Sequence, residues 1–244
     1  MKLLVVLLFC FSSVFSQQPK INVKISSISS NEVNSKNKKY FINYEISNTS
    51  NAEISFFLIP NALIANAASS ATLFTIYKIY QNGVFEDMDG PFFEFGSDDL
   101  VDLASLEDKN SEEYKSLLDK IIKSQKDKID AIIIKYSIDK EDKEALKKAY
   151  RKEILLTNSI TLNPYETKKF TITTIWNKNR FVKNDDLEFY LDENKKIEIE
   201  LLLVLNKTIY KEDLDKLTFD KIANDSNFIE GTFKSNKMEI IFDD

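Results

Sequence analysis

The sequence predicts a mainly β fold, an antiparallel β-sandwich with an inserted α-helical hairpin, and three observations carry that expectation. Residues 159–176, SITLNPYETKKFTITTIW, read as a short strand, a turn through Asn163, Pro164, Tyr165 and Glu166, and a second strand with Phe170, Ile172, Thr174 and Trp176 on one face. Asn82-Gly83 stands between two apolar runs and suits a two-residue hairpin turn, because both positions need positive φ. Between residues 98 and 156 the apolar spacing lengthens from two to about 3.6, the period of a helix.

Taken in order, Ile21, Val23 and Ile25 alternate with Asn22 and Lys24, a first strand expected to end in the serine-rich run 26–30. Tyr40, Ile42, Tyr44 and Ile46 share one face of a second strand before Asn48, Thr49, Ser50 and Asn51 turn the chain. A third follows at 53–59. No charged residue occurs from 54 to 77, but Pro60, Asn61, Asn66, Ser69 and Ser70 interrupt the run. It predicts two buried strands, 54–59 and 72–81, joined by an uncharged loop, with a membrane-inserting hairpin as the alternative. After Asn82-Gly83 the chain returns through Val84 and Phe85.

Tyr114, Leu117, Leu118, Ile121, Ile122, Ile129, Ile132, Ile133 and Tyr136 form an apolar stripe on a helix that Asn110 or Ser111 caps. Residues 132–134 equally suit a short strand. A second helix is expected from about 140 to 155, with Asp139 as cap and Ala145, Leu146, Ala149, Tyr150 and Ile154 inward. Residues 197–205 predict the most buried strand, 211–228 show no clear period, and Met238, Ile240 and Phe242 predict a closing strand.

The 244 residues suffice for one domain, expected at 17–244 with its insertion at about 98–156. Residues 1–16 carry Lys2, an apolar run and small residues before Gln17, which predicts a secretory signal peptide and a periplasmic or secreted protein. A retained anchor is the alternative, although the run is shorter than the roughly 20 residues of a spanning helix. The single cysteine, Cys10, lies inside this segment, so an exported chain has no disulfide and relies on its core, as bacterial envelope proteins do. The net charge of −6, with interspersed signs, argues against a nucleic-acid partner. Three N-x-S/T triplets begin at Asn48, Asn206 and Asn224 and are read as products of an Asn-rich composition.

Three fragments together resemble the bacterial intracellular proteinase inhibitor-like family of immunoglobulin-type sandwiches: the strand ending in Asn48-Thr49-Ser50, the strand 77–84 with its Asn82-Gly83 turn, and Leu162-Asn163-Pro164-Tyr165-Glu166 leading to Trp176. That family has a Leu-x-Pro-Gly-Glu turn, where this chain places Tyr165 in the glycine position. The resemblance implies an Ig-like fold and includes protease inhibition among the activities.

Chemistry is narrowed by what is missing. With no histidine and no cysteine beyond Cys10, Ser-His-Asp and Cys-His machinery and the usual zinc sites cannot be built. Glycines stand only at 83, 90, 96 and 231, so no glycine-rich phosphate loop exists, and no cofactor is expected. Asp87 and Asp89, with Glu86 and Glu94 around Gly90, are weak candidates for hard-metal ligation or carboxylate-based hydrolysis, against a reading as a solvated loop. Trp176, with Tyr165 and Phe181, suits either an aromatic platform for a sugar or a buried core position. Phe92, Phe93 and Phe95 suit a contact patch or, preferably, a plug at one end of the fold. The expectation is therefore a non-enzymatic binding module with a protein or glycan partner, no nucleic acid and no transmembrane span after signal removal. Recognition is assigned to the helical insertion or to loops, with a carbohydrate-binding module or a carboxylate hydrolase as alternatives.

Overall fold

The computed structural model describes residues 20–65, 73–86, 92, 98–177 and 195–242. In chain order the described strands are β1 (Ile21–Glu32), β2 (Asn37–Asn48), β3 (Ile54–Phe57), β4 (Ile59–Ala65), β5 (Phe74–Gln81), β6 (Val84–Glu86), β7 (Ser159–Leu162), β8 (Thr167–Asn177), β9 (Ile197–Leu205) and β10 (Gly231–Glu239). The helices are α1 (Asp98–Ser105), α2 (Glu112–Tyr136), α3 (Lys143–Thr157) and α4 (Lys216–Asn224), with a 3-10 turn at Thr208–Glu212.

One antiparallel sheet runs β1-β2-β8 and a second runs β10-β9-β5-β4, with β6 hairpinned onto β5. A third, two-stranded sheet pairs β3 with β7. Alternation explains the first sheet: Tyr40, Ile42, Tyr44 and Ile46 are all buried and share a core with Ile21, Val23 and Ile25 from β1 and Ile172 and Trp176 from β8. The inner residues of the second sheet, Leu63, Tyr77, Ile79, Ile199, Leu201 and Leu203, complete that core. Strand β9 is buried along most of its length because both faces are covered: Ile199, Leu201 and Leu203 enter the main core, while Leu202 joins Ile64 and Ile76 in a smaller cluster.

Strand β1 does not end at its serines. Its register slips between Ile25 and Ser27, and Ser26 Oγ donates to Asn43 O at 3.1 Å, so a bulge carries the strand on to Glu32. Asn82 and Gly83 adopt φ of 50° and 81°, the left-handed pair the β5–β6 hairpin requires. The turn after β7 is closed by Glu166 N donating to Asn163 O at 3.0 Å, with Pro164 and then Tyr165 at φ 60° in its two central positions.

The single sandwich with one inserted hairpin is not what forms. Among the described residues 33% are helical and 43% are in strands, with four separate helices and sheets that stay open, a mixed α/β fold. The resemblance to the proteinase inhibitor-like family of Ig-like sandwiches fails with it. Its carriers are local devices: a proline turn and an Asn-Gly hairpin report two successive strands and not their partners. Here the strands flanking Pro164 diverge, β7 to β3 and β8 to β2, and β4 pairs parallel with β5, none of which alternation encodes.

Three helices occupy the region expected to hold a hairpin, and α4 occupies part of the stretch that showed no clear period. Residues 132–134 are helical. Helix α3 starts later than expected because Asp142, not Asp139, accepts from Ala145 N at 2.9 Å and sets the cap. Strand β10 starts earlier than the expected closing strand and ends within it, after Met238, yet Ile240 and Phe242 still enter the core. Phe57, Leu155, Tyr210, Leu214 and Phe228 form a second cluster that fastens α3 and the α4 region onto β3. Residues 1–16, expected to be a signal peptide, lie outside the described residues.

Candidate functional site

Helix α2 is the longest described element, 25 residues or about 37 Å. Its start is set by Ser111, whose Oγ accepts from Tyr114 N at 3.1 Å, while Glu112 and Glu113 face the positive end of the helix dipole. Ser137 ends it in the left-handed conformation, at φ 51°, its amide reaching Ile133 and Ile134 carbonyls.

Neighbours hold α2 near its two ends. At the first end α1 packs against β8, whose Ile175 is buried on the face opposite Trp176. The Ser105 carbonyl at the end of α1 accepts from Asn34 Nδ2 at 2.9 Å and Asn37 Nδ2 at 3.4 Å, a cap supplied from the β1–β2 connection. Lys39 pairs with Asp102 of α1, and Lys120 of α2 reaches Asp99 at 2.8 Å. At the other end Lys135 Nζ bonds both oxygens of Glu153 on α3, at 2.9 and 2.7 Å, and Tyr136 Oη donates to Glu153 Oε2 at 2.9 Å. The Lys135 ammonium holds the Glu153 carboxyl below the usual carboxylate range, while burial, reinforced by Glu153, raises the Tyr136 phenol. Lys152 continues the chain of contacts to Asp215 on the α4 side, at 2.6 Å.

Between those anchors the helix is bare. Every residue from Ile122 to Ile129 is exposed, and Ile122 is 57% and Ile129 37% accessible although both belong to the apolar stripe. Ile134, off the stripe, is 78% accessible, and Ile132 alone on α2 is buried. Helices α2 and α3 together line an open cavity of about 350 Å³. Its apolar lining is Ala131, Ile132 and Ile154, and its polar lining includes Lys128, Lys135, Tyr150 and Glu153.

The candidate ligands Asp87 and Asp89 lie outside the described residues, as do Glu94, Phe93, Phe95 and Phe181. Glu86 is described and accepts from Gln81 Nε2 at 3.1 Å. Among the described residues no group of three metal-ligating side chains gathers. Trp176 is 3% exposed, packed edge-on against Phe242 with ring centroids 5.0 Å apart, so it offers no platform for a sugar. Phe92 joins it in the core, between Tyr40 and Tyr77. Asn48 is 2% exposed and cannot accept a glycan in the folded chain. No described helix is long and apolar enough to cross a membrane.

One buried group escaped the sequence reading. Glu200 on β9, 8% exposed, accepts from Tyr80 Oη at 2.7 Å, and Lys237 Nζ stands 3.3 Å from the centre of the Tyr80 ring. Lys78, Glu200 and Lys237 are direct cross-strand neighbours. Burial first, then the Glu200 hydrogen bond and charge, push the Tyr80 phenol up to about 12. The phenol is thus a fixed donor at neutral pH and the cluster clamps β5, β9 and β10. Its signal was the alternation of Glu198 and Glu200 within an otherwise apolar strand.

No family model, no curated protein and no solved structure matches this chain.

Proposed function

We propose that this is an exported, non-catalytic binding module of the bacterial envelope that presents α2 and α3 to a protein partner. The carrying observation is the bare middle of α2: a helix fixed near both ends leaves Ile122 more than half exposed and Ile129 37% exposed, apolar surface that no described part of the fold covers. Apolar groups on a helix fixed in this way lose little further freedom on binding, which favours association. Export is supported by the residues of the 1–16 segment, and the non-catalytic reading by the absence of histidine and of any cysteine beyond Cys10. The net charge of −6 disfavours a nucleic-acid partner, and the chain is expected to have no membrane span once the signal is removed.

The test is capture from an envelope extract by the parent protein and by a variant carrying Ile122→Ser, Ile129→Ser and Ile134→Ser. All three positions are exposed, so the variant should melt with the parent. The proposal expects a partner retained by the parent and lost by the variant. A partner held equally by both would place recognition elsewhere and overturn it.

A further inference from the structure

We infer that the cavity between α2 and α3 is a binding site for a small amphipathic monoanion, an aliphatic or aromatic carboxylate. The inference rests on the reading of α2 and α3 as a binding element and adds the chemistry of a ligand. A volume of about 350 Å³ falls within the range of small-molecule sites. Its floor of Ala131, Ile132 and Ile154 suits a hydrocarbon tail.

The rim specifies the head group. Lys135 is committed to Glu153 through both carboxylate oxygens, so that pair is neutral as a unit. Lys128 lines the same cavity from α2 and makes no ion pair among the described residues. Tyr150 lines it from α3, and its hydroxyl makes no hydrogen bond among the described residues. One uncompensated cation and one spare hydroxyl, on opposite helices over an apolar floor, match one carboxylate on an apolar tail. A cationic ligand meets Lys128 unfavourably, and a neutral one leaves it without a counter-charge. An anion clamped by both groups would also bridge the two helices.

Decanoate is the probe, titrated calorimetrically into the purified full-length protein, with decanol as its neutral counterpart. We expect one equivalent of decanoate to bind, decanol to bind at least about tenfold more weakly, and Lys128→Glu to weaken decanoate by about tenfold while Lys128→Arg retains it. Ala131→Phe, which fills the cavity from an exposed position, should abolish binding. Both positions are exposed, so matched melting curves confirm that each variant is folded. Absence of decanoate binding, equal binding of decanol, or unchanged binding by Lys128→Glu and Ala131→Phe together would each overturn the inference. If decanoate does not bind while the triple-serine variant still loses its partner, the ligand site falls and the proposed function stands. If decanoate binds through Lys128 while that variant keeps its partner, the ligand site stands and the protein-binding role of α2 falls.

Discussion

Asn48 holds more of the fold than any local pattern around it suggests. Its side-chain amide donates to Ala52 O at 2.7 Å, Asn163 O at 2.8 Å and Leu162 O at 3.3 Å, while its carbonyl oxygen accepts from Ser50 N and Ser50 Oγ. One buried side chain thus ties the turn after β2 to the turn after β7. Asn48→Ala removes that link from a buried site, so thermal or denaturant unfolding should show a loss of about 2–4 kcal/mol. Tyr165 illustrates the opposite case, a residue at odds with its backbone. It sits exposed at φ 60°, where a side chain costs roughly 1–2 kcal/mol and glycine does not. Tyr165→Gly should therefore raise stability by about 0.5–1 kcal/mol after glycine's entropic cost, and a lowered melting temperature would contradict the turn geometry. Asn-x-Ser at 48–50 was legible only as a turn and a triplet, because two of the three carbonyls that use its amide, those of Leu162 and Asn163, come from residues more than a hundred positions away.

At the scale of elements, periodicity gave α2 its existence and its cap, since Ser111 and the stripe from Tyr114 to Tyr136 are local information. It could not show that the middle of the stripe lacks a partner, because burial of Ile122 depends on where α1 and α3 stop. The docking of α3 beside α4 was equally invisible, and its electrostatics are testable. Asp215 caps α4 by accepting from Thr218 N and Thr218 Oγ1, and it accepts from Lys152 Nζ. Lys152 first, and then the Thr218 bonds, hold its carboxyl well below the ordinary value of 3.8. A depressed folded value means that the unfolded chain binds the proton more tightly, so this stabilisation is complete above the ordinary carboxylate range. It is lost as pH falls through the folded value. Melting curves of the parent and of Asp215→Asn should differ near neutral pH and converge under acid. A gap that widens toward low pH would contradict the assignment.

Across the whole molecule, the strands most accurately legible were those whose alternation is fully used, such as β2, where every inward residue reaches the core. Their arrangement was not legible, since pairing is long-range: β2 meets β8 and β5 meets β9, each more than a hundred residues away. That is why the turn at Pro164 suggested an Ig-like sandwich while the chain forms open sheets with four dispersed helices. The site followed the same division. The apolar stripe of α2 was visible in sequence, whereas the cavity it shares with α3 and the isolation of Lys128 emerged only from the packing of the two helices. The central claim is that α2 and α3 form the recognition surface of a scaffold built by the strands. Amide hydrogen exchange of the free protein and of the captured complex tests it most directly. Exchange should slow over α2 and α3, most strongly around residues 122–134, with the strands unchanged. Protection confined to strand edges or to the connections between strands, with α2 exchanging as in the free protein, would contradict it.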